Sequence, residues 1–161
     1  MYEEGGNTRD RFIHRLGIDF DSDDLDKLLP KLRRALEYSK YYEGIVELLR
    51  TRRGYHIHLH LDTPLSIEED LFLRYAIGDS PGRLWLEERR LKESVKYGVF
   101  LDTFDLMSGA KEHGSGGIGS EELICSIRIG ETIKLTPAVE KEPLQLQMLL
   151  QSLSRHVLRS V

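Results

Sequence analysis

The chain has a single cysteine, Cys125, in 161 residues. One thiol excludes a disulfide within a copy and any zinc site built on cysteines. No apolar run approaches the ~20 residues that a membrane helix needs, so no membrane partner is expected. The opening Met1-Tyr2-Glu3-Glu4-Gly5-Gly6 lacks the basic and apolar regions of a secretory signal. An intracellular, cytoplasmic location is the default expectation. Excess charge of one sign is small too: the formal net charge is −4, which sets up no global field to draw in nucleic acid. An acidic total still leaves room for local arginines and metal ions to hold phosphate.

What is present is ordinary in bulk and informative in pattern. Hydrophobic residues make up 40% and charged residues 31%, which excludes wholesale disorder and suits a single domain over 1–161. No internal repeat is evident. Two segments alternate with a period of two, the signature of strands with unlike faces. In Gly17-Ile18-Asp19-Phe20-Asp21, Ile18 and Phe20 point one way while Asp19 and Asp21 project together from the other face. In Tyr55-His56-Ile57-His58-Leu59-His60-Leu61, His56, His58 and His60 share one face, and Tyr55, Ile57, Leu59 and Leu61 share the other.

Around these strands the punctuation gives an order of elements. Ser22-Asp23-Asp24 suits a helix start, and Leu25, Leu28, Leu29, Leu32 and Leu36 form a helical stripe that Pro30 should kink or restart. Ile45 to Leu49 and Tyr55 to Leu61 read as a hairpin across Thr51-Arg52-Arg53-Gly54. Ser66-Ile67-Glu68-Glu69 is a capping box, and its helix should stop at Gly78. After the turn Asp79-Ser80-Pro81-Gly82, Arg83 to Glu87 alternates and predicts a strand with Arg83, Trp85 and Glu87 on one side. A further strand is expected at Val99-Phe100-Leu101, then a flexible loop near 108–120 whose glycines match no phosphate-binding fingerprint. Leu123 to Leu135 predicts a long strand or a hairpin turning near Gly130, with Cys125 in the core. A terminal helix over 143–160 completes an α+β fold: a mostly antiparallel sheet with helices packed on one side.

The polar faces carry the chemistry. Adjacent carboxylates repel, and a divalent cation between them relieves the repulsion; paired ions can then activate an attacking oxygen and stabilise the leaving one. Oxygen donors suit Mg²⁺ or Mn²⁺. Three imidazoles on one strand would suit Zn²⁺, but a single strand rarely folds all three around one ion. His56 is the histidine best placed to contact phosphate or donate a proton. Arg52, Arg53 and Arg83 are candidates for charge-assisted bonds to phosphate oxygens, with His58 and His60 as further members of the polar face. Trp85 is a candidate to stack a base.

Gly17 to Asp21, followed by Thr51-Arg52-Arg53-Gly54-Tyr55-His56-Ile57-His58-Leu59, resembles the catalytic core of archaeo-eukaryotic primases and primase-polymerases. The resemblance covers roughly Leu16 to Glu88. It implies a primase-like nucleotidyltransferase core, with Asp19 and Asp21 as metal ligands, His56 on the phosphates of an incoming nucleotide, and a third acid from a later strand. Glu87 is favoured for that third acid, with Asp79 as the alternative. The pairing of Gly-Tyr-His-Ile with Gly-Asp-x-Pro-x-Arg is also similar to small archaeal and viral proteins, among them a virus-encoded nuclease with a nucleotidyltransferase-like fold. The expected activity is therefore metal-dependent phosphoryl transfer on nucleic acid, DNA before RNA, in replication or repair. A DNA nuclease on the same acids is the alternative, and an inactive DNA- or replisome-binding module the second. The leucine-rich tail permits a homodimer.

Overall fold

Leu16, Ile18 and Phe20 are buried as the alternation requires, and they make β1 (Ile13–Phe20) the outer strand of a five-stranded antiparallel sheet. The computed structural model describes residues 13–96 and 121–159. After β1, Asp24 caps α1 (Leu25–Tyr42), its carboxylate accepting from the Asp26 amide at 3.0 Å. Leu28, Leu32 and Ala35 are fully buried in the same cluster as the sheet's apolar face. Each such leucine contributes about 1.5–3 kcal/mol of apolar burial. The expected break at Pro30 does not occur: the helix runs unbroken through it. Pro30 lies on the exposed side, where water can satisfy the one carbonyl that the ring leaves without a donor.

The hairpin forms as read. β2 (Gly44–Arg50) pairs with β3 (Tyr55–Leu65), which also pairs with β1, so the histidine strand is central among the three. Its turn is seated on the end of β1: a Cβ on Gly54 would fall 2.2 Å from the Phe20 carbonyl oxygen and 2.5 Å from the Ser22 amide nitrogen. Only glycine admits that approach. The turn is closed by the Thr51 amide donating to the Gly54 carbonyl at 2.9 Å.

The capping box at Ser66 and Glu69 is present, and α2 (Ile67–Ile77) ends at Gly78, whose φ of 116° suits glycine. Its C-terminal carbonyls are held by α1: Lys31 Nζ donates to Gly78 O at 2.6 Å and Arg34 Nε to Ile77 O at 3.0 Å. Burial first, and then the Arg34 charge, holds the Lys31 ammonium below its ordinary pKa.

Residues 83–87 are not a strand. They lie in α3 (Pro81–Lys96), begun by Ser80, whose carbonyl accepts from the Leu84 amide at 3.0 Å. Over five residues a period of two is not separable from 3.6, whereas Ser80-Pro81, a cap followed by proline at the first helical position, is the stronger local signal.

The strand expected at Val99 to Leu101 and the loop near 108–120 lie outside the described residues. Of the two readings of Leu123 to Leu135, the hairpin is correct: β4 (Glu122–Ile127) pairs with β2 and with the short β5 (Lys134–Leu135), and Gly130 takes φ 93° between them. A 3₁₀ turn (Pro137–Lys141) leads to α4 (Leu144–Arg159), which buries Leu146 and Leu150 in the common core. Glu142, just before α4, ties this end to the hairpin, accepting from Tyr55 Oη at 2.8 Å and from Arg50 Nη2 at 2.8 Å. Burial and the bond to Glu142 push the Tyr55 phenol above its usual pKa. The fold is α+β as expected, with α1 on the apolar sheet face and α3 reaching the polar face through Arg83. Among the described residues no helix is long and apolar enough to cross a membrane.

Candidate functional site

The antiparallel register places Asp19 of β1 directly opposite His56 of β3, and Glu47 of β2 opposite His58. Cross-strand neighbours on one face stand close enough for their side chains to meet, and here they do. His56 Nε2 lies 2.7 Å from Asp19 Oδ1, while His56 Nδ1 meets Glu121 Oε2. Both ring nitrogens therefore face carboxylate oxygens. A doubly protonated ring satisfies that by donating twice, and a metal ion replaces it by taking one nitrogen and one oxygen. His58 Nε2 is 3.9 Å from the same Glu121 oxygen, and His60 Nε2 is 2.8 Å from Glu47 Oε1.

This face is not the solvated surface that alternation implies, since His56 and His58 are 4% and 7% exposed. His58 is thus no mere member of a polar face. Two groups of donors gather here, each with its ligand atoms within 4.8 Å of one another: His56, His58 and Glu121, and Glu47, His58 and His60. Each combines two imidazoles with one carboxylate. The three histidines do not converge on one point, and neighbouring elements supply the acids.

Arg83, at the start of α3, completes the acidic end, with Nη1 3.6 Å from Asp19 Oδ2 and 3.5 Å from Asp79 Oδ1. Asp79 is fully committed. Its Oδ2 accepts from Arg74 Nε and Nη2 at 3.1 and 2.7 Å, and its Oδ1 accepts from the Asp19 and Ser80 amides at 3.1 and 2.9 Å. A carboxylate this occupied positions others. Glu87 stands on helix α3, so the route by which it was expected to enter the site, along a strand, does not exist. Trp85, on the same helix, is 55% exposed with the Arg89 guanidinium 4.9 Å from its ring centre.

Compared with protein-family models, with curated proteins and with solved structures, the chain matches none. The site therefore stands on its own geometry.

Asp21 follows directly on β1 and is half-exposed, 4.0 Å from Arg53 Nη1. Partial burial, and next the charge of Asp19, raise its carboxyl above the usual aspartate range. The two acids are the neighbours that the strand pattern requires. Arg52 and Arg53 are exposed on the hairpin turn, at the end of the sheet where β1 delivers Asp19 and Asp21, rather than inside the His56 cluster.

Two residues of the cluster were missed by sequence reasoning. Glu47 had a signal: once Ile45 to Leu49 is paired with Tyr55 to Leu61, it is the acid of β2 that falls among the histidines. Glu121 had none, since nothing local marks a glutamate just before β4 as a partner of a histidine 65 residues away.

Proposed function

We propose that this protein is a divalent-metal-dependent phosphoryl-transfer enzyme of primase-like nucleotidyltransferase character, acting on nucleic acid. The observation that carries the reading is the cross-strand pair of Asp19 and His56, 2.7 Å apart, on the two strands whose sequences resemble the primase core. In this reading Asp19 and Asp21 hold Mg²⁺ or Mn²⁺; burial first, and then the charge of Asp19, raises the Asp21 carboxyl, and a bound cation relieves the second of these. His56 and Arg83 face the phosphates. Glu121 takes the part of third acid: it already meets His56, whereas Asp79 is spent on Arg74 and Glu87 sits on a helix.

The exposed arginines 52 and 53 supply charge for a strand of DNA, in preference to RNA, passing the end of the sheet. A hydrolytic version of the same chemistry asks for less, only the metal ions, a water and a DNA strand.

The test incubates wild type and Asp19→Asn with end-labelled single- and double-stranded DNA and Mn²⁺, with and without nucleotides. Nucleotide-dependent lengthening, lost in the variant, is the expected result. Shortening without nucleotides, also lost in the variant, assigns a nuclease. DNA binding with no product under any condition makes the protein a binding module and ends the enzymatic reading.

A further inference from the structure

Glu47, His58 and His60 play no part in that reading, yet they form a compact donor group on the best-paired part of the sheet. β2 and β3 are in register from Gly44 against Leu61 to Arg50 against Tyr55. Within that ladder Glu47 stands directly opposite His58, and His60 is two residues along the same face. The backbone thus presets three side chains without help from a loop.

We propose that Glu47, His58 and His60 bind a divalent ion of the zinc class, at a site separate from the acids of Asp19 and Asp21. The donor set decides the class. Two imidazoles and one carboxylate suit Zn²⁺ and its first-row neighbours, whereas Mg²⁺ prefers an all-oxygen shell. The spacing agrees. Zinc bonds of about 2.0–2.2 Å place the donors of a tetrahedral site roughly 3.3–3.6 Å apart; Glu47 Oε1 and His60 Nε2 stand at 2.8 Å, and all three donors lie within 4.8 Å. A sub-ångström opening of the first pair admits the ion.

Access agrees as well. His58 is buried, while the side chains of Glu47 and His60 are 27% and 36% exposed, so solvent reaches the outer side. Three protein ligands with a fourth position facing water is the form of a zinc site that keeps an open coordination place.

The competing triad shares His58, and one ring nitrogen serves one ion. In either group an ion would insert into one histidine–carboxylate pair, His56 with Glu121 or His60 with Glu47. The Glu47 pair is the more open to an entering ion, with the His60 side chain 36% exposed against 5% for His56.

The test is calorimetric titration of the full chain with Zn²⁺ in the presence of excess Mg²⁺, together with Co²⁺ absorption, whose visible bands report a tetrahedral nitrogen and oxygen shell. Wild type is expected to take up one ion, to show those bands, and to gain thermal stability with added Zn²⁺. Glu47→Gln and His60→Ala should each weaken Zn²⁺ by at least about tenfold, while Asp19→Asn and Glu121→Gln leave it unchanged. Glu47→Gln preserves shape and hydrogen bonding, so it carries the test if His60→Ala does not fold. Wild-type affinity in both Glu47→Gln and His60→Ala overturns the site. So does loss of Zn²⁺ in Glu121→Gln alone, which moves the ion to the His56 triad, and so does displacement of Zn²⁺ by Mg²⁺. Because Asp19→Asn is expected to keep the ion while losing phosphoryl transfer, the two proposals fail separately.

Discussion

The backbone amide of Asp19 donates to Asp79 Oδ1 at 3.1 Å, across 60 residues of sequence. The acid that holds the strand is in turn held by Arg74, and both of those side chains are sealed from solvent, at 0% and 1% exposed. Breaking a buried pair strands one charge without its partner, which costs about 3–5 kcal/mol. Asp79→Ala should therefore fall near the lower end of that range, because Asp70, 4.0 Å from Arg74, retains part of the compensation. Urea unfolding measures it: the midpoint drops with an unchanged slope.

The turn arginines give a separable effect. If the protein binds DNA as proposed, Arg52→Gln/Arg53→Gln should weaken that binding about equally for all sequences and lower the slope of log affinity against log salt by roughly 0.7–0.9 per lost phosphate contact. The turnover number at saturating DNA should stay as in wild type. A binding assay at several salt concentrations, beside the gel assay, checks both halves; an unchanged slope would remove the turn from the binding surface.

Asp21 sets a pH dependence of known sign. Its carboxyl titrates above its unfolded value because burial and Asp19 disfavour the charge. Ionised Asp21 therefore destabilises the fold at neutral pH, and the penalty is relieved as pH falls through the raised pKa. Asp21→Asn should be slightly more stable than wild type at pH 7 and equal to it once both are measured below the unfolded pKa near 3.8. The gain is small because the residue is half-exposed. Thermal melts across pH 3 to 8 read it, and a wild type more stable than the variant at pH 7 contradicts the assignment.

Cys125 is fully buried between β2 and β5, and burial pushes its thiol up to about 12. The thiolate is the reactive form. Labelling by a thiol reagent at neutral pH should thus be negligible in the native protein and complete in denaturant, with the slow native rate tracking opening of the sheet.

Much of this fold was legible because its signals are local. The capping box at Ser66, the Gly54 turn and the leucine stripe of α1 each rest on short sequence spacings, and each element is present, α1 without the break expected at Pro30. Arg83 to Glu87 misled because the segment was too short for its periodicity to discriminate, and the cue at Ser80-Pro81 was read as a turn. The site was legible only in part. Asp19 and His56 each lie on the face that strand alternation predicts, and the register makes them cross-strand neighbours; Arg83 reaches Asp19 from helix α3 and not from the strand expected there. The clamp of Arg74 on Asp79 spans only five residues at the end of α2 but matches no cue as common as a capping box, whereas Glu121 depends on tertiary closure, which brings together groups with no shared local pattern. The burial of His56 and His58 was illegible for the same reason: alternation says which side chains share a face, and says nothing of what covers it.

Gly54 fixes more than a turn. By resting the hairpin tip on the peptide groups of Phe20 and Ser22, it seats the backbone that carries Arg52 and Arg53 against the end of the strand that delivers Asp19 and Asp21. A ligand laid across this end of the sheet would therefore meet a turn and a strand end whose main chains are held at one spacing, so that any adjustment to its shape falls to the side chains.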